Sequence, residues 1–169
     1  FFHTWELRGV YPANFNHPKH GDEARKLFAD AQDLLGRMAG ERLLQPRGIY
    51  GFFPAAREGD DVVIYSDASR TQVRTRLHFL RQQAPQTDGK PHRCLADYIA
   101  PAGTTSAKAG DHIGTFAVTT GHGLQALVDG FKAGHDDYNA ILAEALADRL
   151  AEAFAEFLHL QARQEWGYG

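Results

Sequence analysis

The stretch GIYGFFPAAREGDDVVIYSD, residues 48–67, decides the class of fold. Two runs rich in β-branched and aromatic residues lie on either side of REGD, a short polar segment that contains a glycine. Two such runs joined by a short turn predict a β-hairpin. Acidic residues at a hairpin turn are usually solvated turn formers, so we interpret Asp60, Asp61 and Asp67 first as turn chemistry.

Three further segments extend the predicted sheet. Residues 94–100 (CLADYIA) and 113–121 (IGTFAVTTG) are predicted as strands, separated by the flexible loop PAGTTSAKAGD. Residues 71–83 fit a strand or a helix, because Val73, Leu77 and Leu80 also suit a helical period.

One helix is predicted before this block, over 22–40, and two are predicted after it, over 124–133 and 136–164. Residues 1–20 are predicted as an irregular arm. Strands in one block, without alternating βαβ units, predict an α+β fold with a mostly antiparallel sheet and long helices, in one domain spanning 1–169. The apolar stripe of the last helix comprises Leu142, Leu146, Leu150, Phe154, Phe157 and Leu158.

Composition excludes several classes of protein. A net charge of -3 over 169 residues argues against an electrostatic nucleic-acid binder, and no run of about 18 apolar residues predicts a membrane span. The single cysteine, Cys94, cannot form an internal disulfide and agrees with a reducing, cytoplasmic location. A first residue other than methionine, and an end just past a helix, suggest a piece of a longer chain.

Common catalytic and metal motifs are missing. The nine histidines are scattered without an HExxH pair, and one cysteine cannot supply a thiolate set, so a metal site is not favoured. TTGHG at 119–123 precedes a predicted helix, but without GxGxxG or a Walker lysine it indicates phosphate binding only weakly. No GxSxG supports a nucleophilic mechanism.

The last helix carries two acids one turn apart, Asp148 and Glu152, within ALADRLAEAFAEFLH. At 100° per residue they point away from Leu146 and Leu150. One interpretation is a solvated helix face, since charged faces usually are. The other is that small alanines let a ligand approach, and that Glu152 offers its carboxylate to an amine, a sulfonium neighbourhood or ribose hydroxyls. The residues by themselves leave both open.

Blocks along the whole chain resemble one family, the C-terminal activation domain of cobalamin-dependent methionine synthase. Together they are highly specific, although none would be so alone. They are RGVYP (8–12), LFADAQDLL (27–35), PRGIYGFFPAAREGDDVVIYSD (46–67), LRQQ (80–83), CLADYIAP (94–101), GTFAVTTG (114–121), HDDYNAILAEALADRLAEAFAEFLH (135–159) and WGY (166–168).

The resemblance implies a C-shaped α+β body with a twisted antiparallel sheet, distinct from Rossmann-like methyltransferases. It implies a domain that binds S-adenosylmethionine and presents its methyl group to a cobalamin that has oxidised to the inactive cob(II)alamin state. The implied partners are the cobalamin-binding domain of the same chain and flavodoxin or a related flavoprotein, which supplies an electron. Cobalamin and zinc belong to other domains of such a parent, which is a methyltransferase of methionine biosynthesis.

The resemblance also implies site residues. The family's helix glutamate matches Glu152, with Asp148 as its neighbour. Two further contact regions, an aspartate before the FFxTW-like start and an RPAPGYP-type segment after WGY, have no match in this chain. We therefore expect this chain alone to bind S-adenosylmethionine poorly and to be inactive. The rival hypothesis is a docking module for the cobalamin domain or flavodoxin, with no ligand site of its own.

Overall fold

The computed structural model describes residues 1–7, 9–86, 89–103 and 110–167. Its α-helices are α1 (Gly21–Gly40), α2 (Leu124–Ala133) and α3 (Asp137–Glu165). Its strands are β1 (Arg47–Glu58), β2 (Asp61–Tyr65), β3 (Val73–His78) and β4 (Asp111–Thr119), in the sheet order β3-β2-β1-β4. In the described ranges no helix is both long and apolar enough to cross a bilayer.

The chain forms two compact units. The first, called the helical unit, comprises Phe1–Ile49 and Ala117–Gly169, and the second, called the sheet unit, comprises Tyr50–Phe116. β1 and β4 each have residues in both units.

The helical unit is built on a continuous apolar core. Every third or fourth residue of α1 is buried, which is the spacing that places residues on one helix face. These residues pack with the buried side of α3 and with α2. The predicted arm at 1–20 folds against this core in two short 3₁₀ turns, Phe2–Trp5 and Ala13–Asn16. The core includes Ala24, Leu27, Ala31, Leu34, Met38, Val128, Leu142, Ala143, Leu146 and Ala147.

The sheet unit confirms the predicted hairpin. β1 and β2 pair antiparallel from Ala55↔Ile64 to Glu58↔Asp61, so the turn itself is the pair Gly59-Asp60. Gly59 has a φ of 64°, a left-handed conformation that glycine adopts without a Cβ clash. Residues 73–78 of the ambiguous segment are a strand, which pairs antiparallel with β2.

The prediction of a strand over 94–100 is wrong. Leu95–Tyr98 is a 3₁₀ helix, in which the Asp97 amide donates to Cys94 O at 3.0 Å. The Asp97 carboxylate accepts from the Cys94 amide, also at 3.0 Å. Such local bonds between an aspartate side chain and the backbone compete with a strand ladder, and here they replace it.

The apolar stripe of α3 was predicted correctly except at Phe157. Its side chain is 53% exposed, whereas the next residue, Leu158, is 6% exposed. One residue turns a helix by 100°, so the buried face passes through Leu158 and leaves Phe157 at its border. Most of the predicted loop PAGTTSAKAGD, at 104–109, and Tyr168 of WGY lie outside the described residues.

Candidate functional site

The helix that carries the candidate carboxylates is fixed at its start and in its middle. Asp136 caps α3, since its carboxylate accepts from the Asn139 amide at 3.0 Å and from the Asn139 side chain at 2.7 Å. These bonds hold the pKa of Asp136 below its usual range. Further along, buried Thr120 donates its hydroxyl to Ala147 O at 2.7 Å. The cap fixes the residue at which the helix begins, and the Thr120 bond ties the middle of the helix to the segment that follows β4.

The alanines of α3 serve mainly to let the helix pack closely. Ala140, Ala143, Ala145 and Ala147 are all buried, and the first two lose nearly all contact with solvent. Ala145 opens the stretch ALADRLAEAFAEFLH, but it is only 8% exposed and does not share the outer face with the two acids. The outer face is therefore narrower than the sequence pattern suggested.

Asp148 and Glu152 both lie on the exposed side of α3, one turn apart. The Glu152 side chain is 63% exposed, and its Oε2 accepts a hydrogen bond from Arg149 Nη1 at 2.7 Å. Among the described residues, no hydrogen bond reaches Glu152 Oε1. An accessible carboxylate with a free oxygen can accept hydrogen bonds from hydroxyl groups or an ammonium. An ion pair three residues apart on an exposed helix is weak, so Arg149 does not bar a ligand from this site.

The acids of the hairpin are ion-pair partners as well as turn formers. Asp60 Oδ1 accepts from Arg81 Nη2 at 2.7 Å, and Asp61 contacts both Arg76 and His78. Asp67 accepts hydrogen bonds from the Ser69 hydroxyl and, at 2.8 Å, from the Ser69 amide. These bonds hold the pKa of Asp67 below its usual range. These contacts are within the sheet unit and account for the acids without a ligand.

One cluster was missed by sequence reasoning. Arg81 donates to Asp60 and Asp97, and Arg57 Nη1 donates to Asp97 Oδ1 at 3.0 Å. The Arg81 hydrogen bond, followed by the Cys94 amide, holds the pKa of Asp97 well below its usual range. The partners are 16 to 40 residues apart, so no local spacing could have revealed them. Each member is paired with another, and the cluster braces the sheet unit.

Metal ligands do not gather in the part of the chain that the structure describes, where no group of three histidine, cysteine, aspartate or glutamate side chains could hold an ion. One groove of the helical unit is lined by both polar and apolar residues, and neither Asp148 nor Glu152 belongs to its lining. Its lining residues are Arg37, Leu43, Gly123, Ala126, Leu127, Gly130 and Phe131.

The helices and the antiparallel sheet define a mixed α+β domain outside the Rossmann class, with an accessible acidic position on its longest helix. Residues 1–169 match the family model "Vitamin B12 dependent methionine synthase, activation domain", and the chain belongs to that family.

A solved structure of the MetH reactivation domain bound to AdoHcy has the same fold. It is 51% identical in sequence, with a TM-score of 0.86 over 96% of this chain. The match covers 49% of that structure, so this chain spans about half of its length.

Proposed function

We propose that this chain serves the S-adenosylmethionine-dependent reactivation of a cobalamin-dependent methionine synthase. The observation that carries the proposal is the similarity, at 51% identity over 96% of the chain, to a reactivation domain that binds AdoHcy. AdoHcy is what remains of S-adenosylmethionine once its methyl group has been transferred. A domain that accommodates the product of methyl transfer is suited to bind the donor.

In the parent methyltransferase, an electron from flavodoxin or a related flavoprotein and the methyl group of the donor restore methylcobalamin. The contribution of this chain is binding and positioning, because bringing a donor methyl to a metal face is a proximity effect. No side chain is assigned general acid or base work. Cobalamin and zinc are bound by other domains of the parent, the cobalamin domain is a partner within the same chain, and the expected location is cytoplasmic.

Glu152 is the proposed donor contact, with Asp148 as a secondary one. The 63% exposure of Glu152 and its unengaged Oε1 support the role. Its carboxylate is suited to accept from ribose hydroxyls or from the ammonium group of the donor. Asp148, one turn earlier, adds negative charge on the same side and favours a cationic sulfonium ligand.

The test is isothermal titration of S-adenosylmethionine into the parent protein and its Glu152→Gln variant. A hydrogen bond to a charged group contributes about 1.5–3 kcal/mol, so we expect Glu152→Gln to weaken binding by about tenfold to a hundredfold. Glu144→Gln is the matched control, since Glu144 is an exposed acid of the same helix, about 12 Å away along its axis. Equal affinities for Glu152→Gln and wild type would assign the carboxylate to the solvated surface. A wild-type parent that does not bind the donor would favour the docking-module alternative.

We further propose that this chain alone binds the donor more weakly than the parent does. The matched structure is about twice as long, and the family's other contact regions have no match here. Titration of the 169-residue chain beside the parent measures the difference directly. Equal affinities for the chain alone and the parent would contradict the proposal.

A further inference from the structure

A small pocket of the helical unit, called the Trp5–Tyr138 pocket, lies between the N-terminal arm and the first turns of α1 and α3. Its volume is about 220 Å³, below the roughly 300–1,000 Å³ of pockets for drug-sized ligands, so it suits a ligand of few atoms. It is distinct from the proposed donor contact, because Tyr138 precedes Glu152 by about 21 Å along α3. The pocket is lined by Trp5, Leu7, Glu23, Lys26, Leu27 and Tyr138.

The deep part of the pocket is apolar and already ordered. Leu7 and Leu27 are buried members of the core of the helical unit. The rings of Trp5 and Tyr138 meet edge to face with their centroids 6.2 Å apart, and the Tyr138 hydroxyl donates to Asp30 at 2.8 Å. Side chains held in place before binding lose less conformational entropy when a ligand covers them. This part of the pocket therefore suits an apolar group of the ligand.

Two opposite charges lie side by side at the rim of the pocket. Glu23 and Lys26 are exposed residues of α1, three positions apart, a spacing that puts Cβ atoms about 5–6 Å from each other. They do not neutralise each other. The Glu23 carboxylate contacts His20 at 3.4 Å, and Lys26 forms no ion pair with any residue that the structure describes. The rim therefore offers one acceptor for a cation and one donor for an anion.

A free α-amino acid with an apolar side chain matches both parts of the pocket. Its ammonium and its carboxylate are attached to one carbon, so they can reach Glu23 and Lys26 together while the side chain enters the apolar part. A simple amine would be repelled by Lys26, and a simple carboxylate would be repelled by Glu23. A residue in the middle of a peptide carries neither charge. The charges of the rim thus favour a zwitterion over these other ligands.

We infer that the Trp5–Tyr138 pocket binds a free α-amino acid whose apolar side chain is about the size of that of leucine. Glu23 accepts hydrogen bonds from the ammonium group, and Lys26 donates to the carboxylate. The rings of Trp5 and Tyr138 contact the side chain. This site goes beyond the proposed function, because it lies away from Glu152 and takes no part in binding the methyl donor. The amino acid and the donor are therefore bound at the same time.

The main experiment is equilibrium dialysis of labelled L-leucine against the parent protein, with three unlabelled competitors. Isoamylamine lacks the carboxylate, 4-methylpentanoate lacks the ammonium group, and glycine keeps both charges but has no side chain. We expect saturable binding of L-leucine, and binding of each competitor that is weaker by about tenfold or more. Saturating S-adenosylmethionine should leave the affinity for L-leucine unchanged.

Charge variants assign the binding to this pocket. Glu23→Gln and Lys26→Met should each weaken L-leucine binding by about threefold to tenfold, because each removes the charge opposite one group of the ligand at an exposed rim. Asp33→Asn is the control for the first variant, since Asp33 is an exposed acid of α1 about 15 Å further along the helix. Lys132→Met on α2 is the control for the second. All four positions are exposed, so each variant should fold.

Three results would overturn the inference. The first is the absence of saturable L-leucine binding by the parent below about 10 mM. The second is equal affinity of Glu23→Gln, Lys26→Met and wild type, which would place L-leucine elsewhere in the parent. The third is displacement of L-leucine by S-adenosylmethionine, which would place it at the donor site. A parent that binds L-leucine through Glu23 and Lys26 but does not bind S-adenosylmethionine would refute the proposed function and leave this pocket standing.

Discussion

Different forces stabilise the helical unit and the sheet unit, each within itself. The helical unit buries a continuous set of leucines, alanines and aromatic rings, and the ion pairs Arg25–Asp22, Arg37–Glu41 and Arg149–Glu152 are exposed and lie within or at the end of single helices. The sheet unit has a small core around Ala55, Val62, Cys94 and Ala96, beside an ionic cluster that links distant segments. A small sheet with little apolar area to bury thus depends more on charge pairing and local capping. The two units should consequently respond differently to cavities, to charge removal and to pH.

The largest effect is expected in the core of the helical unit. Leu142 has no exposed surface, so Leu142→Ala should lower the free energy of unfolding by about 2–5 kcal/mol through lost burial and a cavity. Urea unfolding followed by tryptophan fluorescence reports on this unit, because Trp5 and Trp166 both belong to it. Leu160→Ala on the same helix, 52% exposed in wild type, is the control and should cost under about 1 kcal/mol. If Leu142→Ala also cost under about 1 kcal/mol, the result would contradict the role given to this core.

A smaller effect is expected from Arg81→Met in the sheet unit. The change leaves Asp60 and Asp97 without their main partner, but these side chains are partly exposed, so water compensates in part. Amide hydrogen exchange should accelerate in β1–β3 and stay unchanged in α1. Arg47→Met, at an exposed position, is the control. Uniform acceleration in both units would show that they unfold as one, and would remove the contrast between them.

Acid should destabilise the sheet unit through Asp97. The pKa of this carboxyl is lowered in the folded chain, first by Arg81, relative to an ordinary value of about 3.9. The stability that it contributes is therefore complete above that value and is lost as the pH falls through the folded pKa. Hydrogen exchange of β2 and β3 measured at pH 6 and then at descending values below about 4 should show the loss. The difference in stability between Asp97→Asn and wild type should shrink over the same pH interval. A difference that stays constant would contradict the assignment to Asp97.

The smallest effect is expected in the helical unit at high pH. Burial, followed by the hydrogen bond to Asp30 at 2.8 Å, raises the pKa of Tyr138 to about 12. Since the ordinary value is about 10, the stability that this hydroxyl contributes is present below about pH 10 and is lost as the pH approaches the folded pKa. Tyr138→Phe should be slightly less stable than wild type at pH 8 and should converge with it near pH 12 in urea titrations. No gap at pH 8 would show that Tyr138 contributes by packing on Trp5 alone, and a gap that stays constant with pH would contradict the link to titration of the hydroxyl.

Much of the fold could be predicted, because local patterns encode it. The three helices follow from apolar spacing, and their predicted bounds agree with the structure to within one residue. The hairpin follows from two β-rich runs around a glycine turn. The strand wrongly predicted over 94–100 shows the limit, since CLADYIA has strand-like composition but Asp97 closes it into a 3₁₀ turn.

The candidate site was predictable only in part. The sequence placed Asp148 and Glu152 on one face, and the resemblance chose Glu152 as the ligand contact, which stays a prediction. The exposure of Glu152 and its bond to Arg149 required the structure, because spacing does not tell which face of a helix its neighbours cover.

The sequence by itself determined the elements whose information is local: α1, α2, α3 and the β1–β2 hairpin, together with membership of the family. Only the tertiary structure decided how residues far apart meet. Arg57, Arg81, Asp60 and Asp97 form one cluster because the folded sheet unit brings them together, although no period in the sequence connects them. Helix and turn formation depend on neighbours a few residues away, whereas burial and ion pairing depend on which segments the fold places side by side.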